Sequence, residues 1–185
     1  MKAKWIGAGA KAAFMAAVLA VACGEGHAIF DVDVFSFLKS GADTLHYTVP
    51  IVTTATVQNT PIKMDLVAGF GKSVVDTVTI TAGGNLVNNT GSGTVTFRLF
   101  FAADSASTYS GTPVLTAGGS VSGPGTTPIG GQATLIADTL FSRQVLWVGV
   151  QARVMVSAGP PPPPVDGKVQ VTALRLRIVL KPKLF

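Results

Sequence analysis

Past residue 28 the chain alternates between apolar and polar side chains in short runs, the two-residue period of β-strands with one face buried. In positions 29–38, Phe30, Val32 and Val34 fall on one face and Asp31 and Asp33 on the other. The apolar residues then change parity to Phe35 and Phe37, which predicts a bulge or a crossing between sheets. A second β-rich run, 44–58, is interrupted by Pro50, whose missing N–H predicts an edge or a bend. Runs 62–70 and 74–81 predict two more strands, with Gly69 and Gly71 marking the turn between them.

The best-defined core strand is 94–101, where Val95, Phe97, Leu99 and Phe101 share a face opposite Thr94, Thr96 and Arg98. Ahead of it, Asn88, Asn89, Gly91 and Gly93 tolerate positive φ and predict a hairpin. Segment 102–131 is rich in Ser, Thr, Gly and Pro and predicts a surface loop, the usual home of binding residues, around a short strand at 114–121. Strand character resumes at 132–140. In the last third, Leu146, Val148, Val150, Ala152, Val154 and Val156 share a face. The run 169–181 answers it, with a parity change from Ala173 to Leu174 that predicts another bulge. Taken as partners, the two make a long hairpin tipped by the five prolines of 160–164 in polyproline II form. The expected core includes Phe97, Leu99, Leu176 and Trp147 or its neighbours Leu146 and Val148.

The first residues follow another rule. Lys2, Lys4 and Lys11 precede an unbroken apolar run of eleven residues, 12–22. A bilayer-spanning helix needs about 20 residues, so the run suits the apolar region of a secretory signal peptide. The small residues Ala20 and Ala22 stand where ordinary signal peptidase cleavage wants them. Ala20, Val21, Ala22 and Cys23 also resemble the lipobox of bacterial lipoproteins, with Ala20 where the commonest form has Leu. That resemblance implies a diacylglyceryl group on the thiol of Cys23, which becomes the mature N-terminus. Cys23 is the only cysteine, so no intramolecular disulfide forms. A lone free thiol in an oxidising compartment is uncommon, and a thioether to lipid accounts for it. The expected organisation is a signal peptide at 1–22, a short tether at 23–28 and a β-sandwich at 29–185. The five residues after Cys23, 24–28, reach at most about 18 Å, which keeps the domain close to its membrane.

The pattern of a strand, an Asn-Thr-Gly turn and a strand ending in large apolars, over 74–101, resembles bacterial immunoglobulin-like domains. It implies an immunoglobulin-like, two-sheet antiparallel β-sandwich of about 8–9 strands and transfers no functional residue. The hydrophobic fraction, 48%, is too high for a disordered chain. Three of the 14 basic residues lie in the leader, leaving 11 against 9 acidic ones. So small an excess gives no nucleic-acid partner.

Chemistry is sparse. Two His, one Glu and the absence of G-x-S-x-G leave no catalytic constellation in the pattern, and no enzyme, cofactor or metal is expected. Ser36 and Lys39 match S-x-x-K, but in a strand pattern and without the accompanying motifs. Asp31 and Asp33 share a face but fall short of the six or more oxygens Ca²⁺ takes. His46 has no second ligand at metal spacing. The one concentrated feature is basic: Arg175, Arg177, Lys181 and Lys183 are all odd-numbered, so an unbroken strand projects them from one face. That stripe is either a solvated face or a contact for anionic headgroups. The functional expectation is a non-catalytic envelope lipoprotein, exported and held at the outer membrane, or otherwise periplasmic or secreted. Its expected partners are the membrane and an envelope protein or polysaccharide. The alternatives are a small outer-membrane β-barrel, suggested by amphipathic strands and the terminal Phe185, and a carbohydrate-binding module. The second needs exposed aromatics, for which Trp147, Tyr47 and Tyr109 are the supply.

Overall fold

The structure, a computed structural model, describes residues 20–21, 27–38, 41–50, 53–66, 74–157 and 164–181. Cys23, Lys39, Lys183, Phe185 and most of the expected leader lie outside these residues. Among the described residues eleven strands carry the fold: β1 (Ala20–Val21), β2 (Ala28–Asp33), β3 (Thr44–Val49), β4 (Thr54–Gln58), β5 (Ile62–Asp65), β6 (Val74–Thr90), β7 (Ser92–Ala102), β8 (Leu115–Ser122), β9 (Gly125–Ile136), β10 (Val145–Val156) and β11 (Val165–Lys181). Short 3₁₀ turns follow β2 at Val34–Phe37 and β9 at Thr139–Ser142.

The strands form two antiparallel sheets, as the alternation requires. Sheet A runs β1-β2-β11-β6-β9, with β3 also on β11; sheet B runs β4-β10-β7-β8, with β5 also on β10. β2 and β3 lie end to end along β11, and β4 and β5 lie end to end along β10. Setting aside the two-residue β1, which falls in the expected leader, the segments fill four strand positions per sheet. Each sheet buries one face against the other. Phe97, Leu99, Leu146, Val148, Leu174, Leu176 and Ile178 are among the buried residues between them. Trp147 is the exception: its neighbours point inward, and Trp147 itself faces out from sheet B.

The two-sheet antiparallel sandwich is the expected one; the winding is not. Immunoglobulin domains place strands A, B, E and D in one sheet and C, F and G in the other. Here the orders 3-11-6-9 and 4-10-7-8 make a jelly roll, in which nearly every connection crosses between sheets. The long hairpin expected from β10 and β11 is therefore absent. β10 pairs with β7, β4 and β5, while β11 pairs with β6, β2 and β3. The turn before β7 is likewise a corner between sheets, with Gly91 at φ 77°. Asn88 pins that corner: its buried Nδ2 donates to the carbonyls of Gly91 (3.0 Å) and Gly123 (2.7 Å), tying the β6–β7 and β8–β9 corners together. Turn chemistry is the same for a hairpin and a corner, so composition could not separate them. The barrel alternative fails too, because the strands among the described residues form two sheets with a packed core between them rather than one closed sheet.

The parity changes have structural causes. After Val34 the chain leaves sheet A in a 3₁₀ turn that buries Val34 and packs Phe35 and Phe37 against the core. Ser36, of the S-x-x-K match, donates its hydroxyl to the Asp33 carbonyl at 2.7 Å, a local turn bond. The bulge expected at Ala173 is a register shift between Val171 and Ala173 against β6.

Tyr47 is 2% exposed, and its hydroxyl has no hydrogen-bond partner. Burial, with the Asp166 charge adding to it, pushes the phenol up to about 12 from an ordinary 10. Tyr47→Phe is therefore expected to be neutral or stabilising by about 1 kcal/mol at pH 7, since it removes an unpaired buried hydroxyl. A raised pKa gives stability that is complete below pH 10. Between pH 10 and 12 the unfolded chain releases the proton first, so stability falls. Chemical denaturation at pH 7 and pH 11 should show the variant losing less stability than wild type across that interval.

Candidate functional site

Each sheet has an outer face, and their electrostatics differ. On sheet A, the expected basic stripe sits beside acids. Arg177 meets Asp31 at 3.9 Å, Lys181 meets Asp76 at 2.6 Å, and Arg175 lies opposite Asp33 in register. Asp76 reaches Lys181 because the ladder skips it where β6 bulges against β11. Thr79 and Thr81 complete a shallow depression of about 390 Å³ over Asp31, Asp33, Arg175 and Arg177. Arg175, Arg177 and Lys181 are thus matched in number by carboxylates, and the described part of the stripe has no net positive field. His46 is exposed on the same side of the molecule, opposite Lys168. Nearby, Asp166 accepts from Thr48 (2.6 Å) and Asn89 (2.7 Å), and these bonds hold its carboxyl below the usual value.

Sheet B is built differently. Its outward residues pair in rows across the strands: Gln58–Gln151–Arg98–Thr116, then Thr56–Arg153–Thr96–Gly118, then Thr54–Met155–Thr94–Ser120. None of them is acidic. Gln151 donates from Nε2 to Gln58 Oε1 at 3.1 Å. Among the described residues, neither Arg98 nor Arg153 has a carboxylate partner. They sit diagonally on neighbouring strands, a spacing of about 7–8 Å. Further along β10, Trp147 is half-buried between Ala102 of β7 and Lys63 of β5. From Trp147 to Arg153 the strand advances about 20 Å.

Between Trp147 and Gln151 the segment 103–114 folds onto the sheet. Gly149 makes room for it: a Cβ there would lie 2.5 Å from Thr108 Cγ2 and 2.7 Å from Tyr109 Cε1. The Tyr109 ring packs edge-on to Phe100 at 5.4 Å and covers it. Its hydroxyl is 2.7 Å from the Asn59 carbonyl and 2.6 Å from Asn59 Oδ1, as hydrogen-bond donor. Burial pushes this phenol up to about 12, against a smaller opposing backbone contribution at Val150, so it stays a neutral donor. Asn59 is the hub. Its Oδ1 accepts from the Val150 N–H (2.8 Å) and its N–H donates to the Val150 carbonyl (3.1 Å), bridging the break between β4 and β5. Asp104, in the same segment, is satisfied by Ser107 through N–H and hydroxyl, both at 2.9 Å, which lowers its carboxyl pKa. An open groove of about 680 Å³ adjoins at the sheet edge, lined by residues that include His46, Gln58, Asn59, Thr60 and Lys63.

Two aromatics, two amides and two unpaired guanidiniums offer stacking area and planar hydrogen-bond donors. Sequence reasoning named Trp147 and Tyr109 among three possible platforms; the fold brings those two to one face and sends Tyr47 to the core. It missed Gln58, Gln151 and Arg153, whose only signal was their place on the polar side of an alternating strand.

No protein-family model matches the chain, and comparison with curated proteins finds no match. Solved structures give distant likenesses. The structure of infectious bursal disease virus, Gx strain, aligns at TM-score 0.44 and 7% identity, over 90% of this chain and 43% of that one. The complex of TmCBM61 with β-1,4-galactotriose aligns at TM-score 0.29 and 10% identity, over 80% of each chain. The Bacillus endospore appendages, described as disulfide-linked pili, align at TM-score 0.25 and 17% identity, over 90% of this chain and the whole of theirs. This chain spans less than half the length of the viral chain. At these scores none of the likenesses bears on a ligand.

Proposed function

We propose that this chain is a non-catalytic polysaccharide-binding protein of the cell envelope, exported and lipid-anchored through Cys23, with its ligand on the outer face of sheet B. The observation that carries the reading is Trp147, an outward-facing Trp on the same sheet face as the Gln58–Gln151–Arg98 row. Sugar rings present flat C–H faces that pack on an aromatic ring, and edge hydroxyls that pair with amide and guanidinium groups. A rigid aromatic also supplies contact area at small entropic cost. The anchoring rests on the sequence at Ala20, Ala22 and Cys23.

The test has two parts. Trp147→Ala, assayed by retention on a panel of immobilised polysaccharides, should weaken binding about 30-fold, the loss typical of a hot-spot Trp. Its melting temperature should move little, since the side chain lies outside the core. Wild-type retention on none of the panel, or undiminished binding by the variant, would refute the reading. For the anchor, intact mass should show a lipid adduct on Cys23, and Cys23→Ala should leave the membrane fraction. An unmodified thiol refutes it.

A further inference from the structure

We infer that the ligand on sheet B is an acidic polysaccharide, one carrying carboxylate or sulfate groups, and that Arg98 and Arg153 read its charge. The inference rests on the glycan-binding reading above and specifies its ligand class.

Among the described residues, several surface cations are paired with acids, while Arg143 and Lys168 stand apart from one another without an ion pair. Lys63 is paired with Asp65 at 2.8 Å, Arg177 with Asp31, and Lys181 with Asp76. Arg175 faces Asp33 across the ladder. Arg98 and Arg153 also lack a carboxylate partner, and unlike Arg143 and Lys168 they share one sheet face on neighbouring strands. Each is flanked in register by neutral groups only, Gln151 and Thr116 for Arg98, and Thr56 and Thr96 for Arg153. The carboxylate nearest in sequence, Asp104, is folded into its own turn with Ser107. The face therefore keeps two positive charges over a surface of hydroxyls and amides.

Arginine suits this task. Its planar fork matches a carboxylate or sulfate with two parallel hydrogen bonds, and its charge does not titrate. Two such forks on diagonal positions of neighbouring strands, whose backbones lie about 7–8 Å apart, suit an extended chain bearing repeated acids better than an isolated anion. Both side chains are only half exposed, so the pleated surface limits their swing. The exposed Gln58, braced by the buried Gln151, and the Thr hydroxyls beside the arginines are positioned for the sugar hydroxyls between acids, and Trp147 and Tyr109 lie along the same line for the ring faces. A lipid surface fits less well. Apart from Met155, 48% exposed, the rows around the two arginines are polar and offer little to insert among acyl chains.

The experiment uses the full chain with polygalacturonate, its fully methyl-esterified form, and vesicles containing anionic phospholipid. Binding is measured over a salt series. Polygalacturonate should bind at least about tenfold more tightly than the ester at low salt, converging as salt rises and the Debye length shrinks below about 10 Å. The double variant Arg98→Gln with Arg153→Gln should lose that preference while keeping its melting temperature and its residual affinity for the ester. Arg175→Gln with Arg177→Gln should change nothing. Equal binding of acid and ester, with both retained through Trp147, overturns the charge reading and leaves the glycan reading intact. Retention of neither overturns both. Binding to the vesicles that depends on Arg98 and Arg153, without binding to polygalacturonate, assigns the face to a membrane and overturns the proposal.

Discussion

Phe97→Ala is expected to lower the unfolding free energy by about 3–5 kcal/mol, toward the upper end of that range. Phe97 is 3% exposed and lies between the sheets at the middle of β7. Truncating it removes apolar area from the core and leaves a hole, and the cost depends on how far the surroundings collapse. Here they cannot collapse far. Phe97 already borders a small apolar void of about 10 Å³, whose lining includes Ala82, Gly83, Gly84, Ala117 and Gly130. Those residues present methyl groups and backbone, which have no rotamer to swing into the space. The backbone is fixed in turn by ladders that pair Gly83 with Gly130 and Gly84 with Val171. The new cavity would merge with the existing one. Denaturant unfolding gives the value directly. A domain of this size has about 5–15 kcal/mol in total, so the variant should be marginal at 37 °C. A loss below about 1 kcal/mol would place that face of β7 outside the core. Phe97→Leu, which keeps most of the volume, should recover most of the stability.

Strands were legible because burying one face imposes a period of two, and that period survives in the sequence without any partner in view. Val95, Phe97, Leu99 and Phe101 could be assigned inward from alternation alone, as could Leu176 and Ile178 after the bulge at Ala173. Partners were not legible. Alternation records that Leu146 faces a core, not that β10 lies beside β7 rather than β11. The same turn residues serve both topologies, and the jelly-roll order emerges only from long-range pairing. The site was hidden for the same reason. Gln58, Arg98 and Gln151 become one row only after three separate strands pair, and each alone is an ordinary polar position. The basic residues 175, 177 and 181 drew notice because they are adjacent in sequence, yet β2 and β6 bring acids to them. Arg153 and Arg98 were unremarkable in sequence and have no carboxylate beside them, because the strands paired at those positions bring only neutral residues.

Gly149→Ala should loosen the 103–114 segment from sheet B and cost about 1–3 kcal/mol, with loss of the Tyr109 hydrogen bonds adding to it. Gly149 sits in β10 opposite Phe100, and its missing side chain is what lets Thr108 and Tyr109 touch the strand. Neither neighbour has an easy retreat. Thr108 is 1% exposed and donates its hydroxyl to the Asp104 carbonyl at 3.0 Å. Tyr109 is held at both ends, by Phe100 at the ring and Asn59 at the hydroxyl. A methyl group at 2.5–2.8 Å from their atoms forces one of them out. If Tyr109 moves, Asn59 loses the donor at its carbonyl and the bridge between β4 and β5 weakens. Two measurements separate this from a uniform loss of stability. Limited proteolysis should cut the variant within 103–114 under conditions that leave wild type intact, because a released segment opens well below the global unfolding energy. A double-mutant cycle with Tyr109→Ala should be less than additive, since removing the ring removes most of the clash that the new methyl creates. Unchanged proteolysis together with additive losses would show that the sheet, rather than the segment, absorbs the methyl group. In that outcome Tyr109 would remain in place over β10.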